Sequence, residues 1–334
     1  MQDLYHKAIA LPYSQARVDA IKDGIRQADQ LNETEYGYLF RMELVEDAAY
    51  DGRYSDVRDA FGAMGWIFKK FDDGLLDDID IFEFDLIDMQ QWICRWLALY
   101  PEITLQQFDN LLDDLRKRLL SAGYQLQAYY EAKMMVSLLT DQRSAADEAY
   151  QLYRAGKKDA FNTCDDCIAC RRIKYLRYIG NHSAAFKEAK ALEWPGGCNM
   201  NPKTAYNELV ASAVESGNYE GIALYQKRAY KMIMGDPFFL NFIGYHMQYY
   251  ANTNPAEGLK LYEKHKAWLG GHNRFPLALY DFHMGAAVLV RKLADETLAG
   301  EHYEAAAEIA KKFDERNQTS YYSEKLERLY RAAG

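Results

Sequence analysis

Only 7 of the 334 residues are proline, and no Gly/Ser/Pro-rich or highly charged stretch divides the chain. So few helix breakers leave room for long helices, and the missing linker favours one elongated array over two separate globules. Strand-like alternation of apolar and polar residues is absent, which removes sheets from the reading. No apolar window reaches the roughly 18 residues of a membrane span, and the start Met1-Gln2-Asp3-Leu4-Tyr5-His6-Lys7 lacks the cationic lead and apolar core of a signal peptide. A cytoplasmic protein with no membrane partner is expected. Basic charge is also in deficit: Lys and Arg number 40 against 49 Asp and Glu, a net charge of −9. A surface that binds phosphates needs the opposite excess, so nucleic acid is not expected as a partner. Cysteines number 5, four of them between positions 164 and 198. That crowding does not resemble a secreted disulfide framework and reads as reduced thiols or a metal site.

What is present is helical periodicity broken by glycine turns. The turns are Gly52-Arg53-Tyr54, Gly180-Asn181-His182, Gly217-Asn218-Tyr219 and Gly300-Glu301-His302-Tyr303, each opening a new helical pattern on an aromatic or histidine. Apolar residues at three- and four-residue intervals predict helix pairs over 38–49 and 57–68, 81–100 and 104–123, and 124–139 and 145–153. Further pairs follow over 168–179 and 184–194, 205–215 and 219–234, 239–250 and 255–269, and 277–298 and 303–316, then a polar-faced helix over 321–332. An α-hairpin cannot bury its apolar face alone, so the all-α reading is a stack of hairpins. It divides into irregular hairpins over 1–160, more regular ones over 161–318 and a capping helix over 319–334.

One hairpin carries a family pattern. Tyr206 stands near the start of a first helix, Leu209 follows, Gly217 closes the turn, Tyr219 opens the second helix, and Ile222 and Ala229 recur along it. In this the chain resembles the tetratricopeptide-repeat family, and most closely its bacterial members with degenerate repeats. The resemblance implies a right-handed α–α superhelix whose concave face binds a protein or peptide. On that face it places Tyr206, Asn207, Asn241, Tyr245, His246, Tyr249 and Tyr250, where tyrosine and amide groups would grip an extended chain.

The richest chemistry lies in Cys164-Asp165-Asp166-Cys167-Ile168-Ala169-Cys170, with Cys198 following. If the first thiols start one helix and Cys198 follows its antiparallel partner, the hairpin returns all of them to one end, the donor set of a structural zinc with Cys170 as fourth ligand. Three cysteines on one helix would spread over about 9 Å, so Cys164 must lie in the preceding turn. His182 sits at the other end of the hairpin and is excluded. An oxidisable Cys164/Cys167 pair and inert buried thiols are the alternatives.

Two other features carry less. Asp72, Asp73, Asp77, Asp78, Asp80, Glu83, Asp85 and Asp88 form an acidic run around Phe82 with no Lys or Arg inside it. It reads as a helix-dipole and solubility device before a site for a basic partner. Catalytic motifs are lacking, the seven histidines are scattered, and His246 and His283 fall in apolar helical stretches, while the helical pair Glu43 and Asp47 reads as a solvated face. A non-enzymatic scaffold is expected, with a peptide-sensing receptor or a toxin-neutralising or defence-system component as alternatives.

Overall fold

A computed structural model describes residues 1–51, 56–79, 81, 83–191, 198, 200–270 and 275–334. The Gly52-Arg53-Tyr54 turn, Asp80, Phe82 and the end of the 184–194 helix fall outside them. Among the described residues the chain is all-helical, with 17 α-helices and no strand. The first four are α1 (Gln2–Ile9), α2 (Gln15–Leu31), α3 (Thr34–Glu46) and α4 (Val57–Asp72). Pairs follow as α5 (Glu83–Leu97) with α6 (Leu105–Ser121), α7 (Gln127–Leu139) with α8 (Arg143–Ala155), and α9 (Asp165–Tyr178) with α10 (His182–Ala191). Then come α11 (Lys203–Ser216) with α12 (Ala223–Ile233), α13 (Leu240–Thr253) with α14 (Pro255–His265), α15 (Pro276–Lys292) with α16 (Glu296–Asn317), and finally α17 (Tyr321–Arg331).

Local chemistry explains several boundaries. Thr104 and Gln107 form a reciprocal capping box that starts α6. Gly180 and Gly217 take left-handed φ values of 77° and 68° just beyond α9 and α11, where a side chain would be strained. Asn254 caps α14 ahead of Pro255, so that turn needs no glycine. One expected turn is corrected: Gly300 to Tyr303 lie inside α16. The break falls earlier, where Asp295 accepts a hydrogen bond from the Leu298 amide and Glu296 occupies the first turn. A capping carboxylate outweighs a glycine that costs only about 1 kcal/mol inside a helix.

The packing is regular from α5 onward. Each odd-numbered helix from α5 to α15 contacts both the even-numbered helix after it and the next odd-numbered helix, so the odd-numbered helices form one continuous wall and the even ones its outside. The tightest joint is between α13 and α15. A Cβ on Gly244 would lie 2.0 Å from the Asp281 carbonyl oxygen, and one on Gly285 would lie 2.2 Å from that of Gly244. The two backbones touch, which only paired glycines permit.

The wall does not run on as an open ribbon. Arg316 at the end of α16 donates to the carbonyls of Tyr100, Ala98 and Leu139, at 2.9, 3.3 and 3.4 Å. The Tyr322 hydroxyl on α17 also donates to Leu139, and the Leu277 amide to Leu99. Trp96 on α5 stacks on Phe275 with ring centres 5.5 Å apart and meets Phe238 edge-on. The C-terminal helices therefore close against α5 and α7.

Gly244→Ala should cost about 3 kcal/mol through forced separation of α13 and α15. Urea unfolding of the variant would measure it; an unchanged midpoint would mean that the close approach of the two helices is not required.

Candidate functional site

The closure surrounds a partly open cavity of about 220 Å³. Among the described residues none of its lining comes from an even-numbered helix; every odd-numbered helix from α5 to α17 contributes. Five cations line it: Arg95, Arg171, Lys174, Arg177 and Lys325. Glu208 and Asp281 line it as well, and Trp92, Trp96, Phe242, Tyr245 and Phe275 supply aromatic surface.

Ion pairs organise this interior. The buried Glu131 takes Arg95 and, at 3.1 Å, Arg171, and also accepts from the Thr163 hydroxyl. Arg177 bridges Glu208 at 2.8 Å and Glu215 at 2.6 Å, while Lys325 holds Glu215 at 2.8 Å and donates to the Tyr245 hydroxyl at 2.9 Å. Burial raises the Glu215 pKa, but Arg177 and Lys325 outweigh it and hold the carboxyl down at about 2. Each buried charge is tolerable because of its partners. Two groups are left over. The Nε and Nη2 of Arg95 have no acceptor among the described residues. Asp281 has no hydrogen-bond or ion-pair partner there either, and burial raises its pKa to about 7 against the opposing pull of Lys325 and Arg177, with Glu215 and Glu208 adding to the rise.

The residues expected on a concave grip divide. Asn241 and Tyr245 line the cavity. Tyr206, Asn207, His246 and Tyr249 are buried between neighbouring hairpins. His246 donates through Nε2 to Asn207 at 2.7 Å and accepts from Gln226 at 3.1 Å, and burial lowers its pKa to about 3, so it is neutral. Tyr206 and Tyr249 pack edge-on against Tyr225 and Tyr219, and the half-buried Tyr250 donates to Gln226. Glu43 and Asp47 are not a solvated face: both pair with Arg17 on α2, and Tyr5 on α1 donates to Glu43. In the acidic run, Asp72 pairs with Arg118 at 2.8 Å, and Glu83 and Asp85 occupy the first turn of α5.

The thiols converge in part. Cys164 is the N-cap of α9, outside the helix proper as the rise per residue demanded, and the chain returns Cys198 to the same end. The sulfurs of Cys164, Cys167 and Cys198 lie within 4.8 Å of one another, with Cys167 and Cys198 3.5 Å apart. This group can hold a metal ion. Cys170 does not join it: one turn further along α9 it is fully buried among Ile173, Ala185, Ala189 and Leu209. Asn201, a residue the spacing argument did not single out, approaches Cys167 and Cys198 with its side-chain amide at 3.5 and 3.8 Å. Burial pushes both Cys167 and Cys198 upward; for Cys198 the backbone amides of Met200 and Asn201 and the neighbouring thiols outweigh this and lower it.

Comparison with family models, with curated proteins and with solved structures returns no match for this chain.

Asp281 sets a pH test with a defined sign. Its folded pKa lies above the unfolded carboxyl value, so its contribution is fully present in acid and is lost as pH rises through about 7. Wild type should lose on the order of 3 kcal/mol of stability relative to Asp281→Asn between about pH 5 and about pH 8. Paired denaturation curves measure the difference, and parallel pH profiles would contradict it.

Proposed function

We propose that this chain is a non-enzymatic binding protein, built as a right-handed tetratricopeptide-like superhelix, that takes a short peptide or the end of one inside its inner wall. The observation that supports it most is the convergence of charged and aromatic side chains from all seven helices α5 to α17 of odd number on one cavity. A long concave trough suits a scaffold holding a protein segment; a single partly open cavity walled by every odd-numbered helix from α5 to α17 suits a receptor that takes up a small ligand. The receptor form is therefore favoured, acting in the cytoplasm on a peptide and not on nucleic acid or membrane.

The wall also selects charge. Arg95, Arg171, Lys174, Arg177 and Lys325 face Glu131, Glu208 and Glu215, so with Asp281 protonated the balance is five cations against three anions. A net positive interior within an acidic chain favours an anionic group such as a peptide carboxylate. Arg95 has donors to offer it, Asp281 is a further donor in the protonated form that predominates below about pH 7, and the aromatic lining accommodates an apolar side chain.

Zinc is the ion we assign to the thiol group, because a borderline-soft cation matches thiolate donors. Cys164 and Cys167 begin α9 and Cys198 precedes α11, so the ion would fasten together two helices of the inner wall. It would supply folding energy there, not chemistry.

Native mass spectrometry of protein purified gently from its own cell extract tests the chamber. A small retained mass is expected, absent in Ala278→Phe, whose new ring fills the cavity from α15; circular dichroism checks that this variant stays helical. No retained mass in either protein, or the same mass in both, would contradict the proposal.

A further inference from the structure

We propose that the thiol group is a three-sulfur metal position whose fourth coordination place takes an incoming small thiol, and not a closed four-ligand site. The inference rests on the assignment of a metal to these cysteines and goes beyond it. Its basis is which donors the fold brings together and which it turns away.

Around one tetrahedral zinc with Zn–S bonds of about 2.3 Å, neighbouring sulfurs sit roughly 3.8 Å apart. The Cys167–Cys198 separation of 3.5 Å, and the limit of 4.8 Å on the whole group, match a shared ion after small side-chain adjustments. The sequence offers Cys170 as the fourth ligand, but its place on α9 puts it in the apolar cluster between α9, α10 and α11. No His, Asp or Glu among the described residues places a ligand atom in the group. Of the two carboxylates between the first two cysteines, Asp165 is exposed and pairs with Lys158, and the half-buried Asp166 places no ligand atom in the group.

The three cysteines also differ in exposure. Cys167 is buried, Cys198 half-buried and Cys164 exposed, so the group has a protein side and a solvent side. Asn201 lies on the protein side, its amide directed at the two inner sulfurs, where it steadies thiolate charge without ligating. The fourth place therefore faces outward. Zinc sites that keep three protein ligands are those that exchange their fourth. A set of three thiolates favours a soft donor, and a thiol of low molecular weight fits the exposed side. Binding displaces one metal-bound water and releases the thiol proton to solvent as the metal–sulfur bond forms; no electron is transferred.

Cobalt(II) reports this site by its absorption. The full-length chain, reduced with a phosphine in place of a thiol, is titrated with cobalt, and 2-mercaptoethanol is then added. A single cobalt with tetrahedral ligand-field bands is expected, and the sulfur-to-cobalt charge-transfer intensity should rise by about a third on adding the thiol, as three Co–S bonds become four. Cys164→Ser, exposed and outside the core, should lower the initial intensity by about a third; Cys170→Ser should leave it unchanged. Glu193→Gln, removing a carboxylate outside the described residues, should also leave it unchanged. Cobalt bands that ignore the added thiol, or that change in Cys170→Ser or Glu193→Gln, would overturn the open fourth place while the metal assignment stands. No cobalt absorption in the wild-type chain would overturn both.

Discussion

The bridge from Lys325 through Glu215 to Arg177 is the constraint on which the interior depends. It joins the last helix to α11 and α9, and the Lys325 contact with the Tyr245 hydroxyl brings in α13. Charges this deep are costly unless each has its partner, so the group acts as a unit: the wall must hold its curvature for the pairs to form, and the pairs penalise any opening of the wall. The apolar joints work in the same direction. Gly244 and Gly285 let α13 and α15 touch, which draws the Asp281 backbone against α13 and leaves its carboxyl beside the cavity. The Trp96, Phe238 and Phe275 cluster then closes α5 against the segments that lead into α13 and α15.

How much of this was legible follows from range in sequence. The hairpins were readable because helix periodicity, the left-handed glycines at 180 and 217 and the Thr104 cap are local signals. The turn expected at Gly300 failed where two local signals competed and Asp295 was the stronger. The closure was not legible at all. Arg316 finds its carbonyl acceptors at Tyr100 and Ala98, 216 and 218 residues earlier, and nothing in the pattern around an arginine late in a helix announces such partners. A stack of hairpins specifies its neighbour contacts; whether its ends meet depends on small angles accumulated over many joints.

The candidate sites show the same division. The return of Cys198 to Cys164 and Cys167 follows from antiparallel helices of known rise, whereas the loss of Cys170 depends on which way one helical turn faces. Among the aromatic and amide residues, Asn241 and Tyr245 reach the cavity while Asn207 and His246 satisfy each other between hairpins, because one helix can serve both the wall and the joint with its neighbour. A usable signal for the chamber existed in the sequence as charges set within apolar helical faces. Asp281 stands between Tyr280 and Phe282, and Glu131 among Ala128, Ala132 and Met135. A carboxylate in such a setting must either find a cation, as Glu131 does, or hold its proton to higher pH, as Asp281 does.

The central claim is that the inner wall is closed, and small-angle X-ray scattering of the purified chain in solution tests it most directly. A closed array of this length should give a radius of gyration of about 20 Å with a symmetric distance distribution. A clearly larger radius with the long tail of an extended ribbon would contradict the account, because the ion pairs that line the chamber could not then all be formed at once.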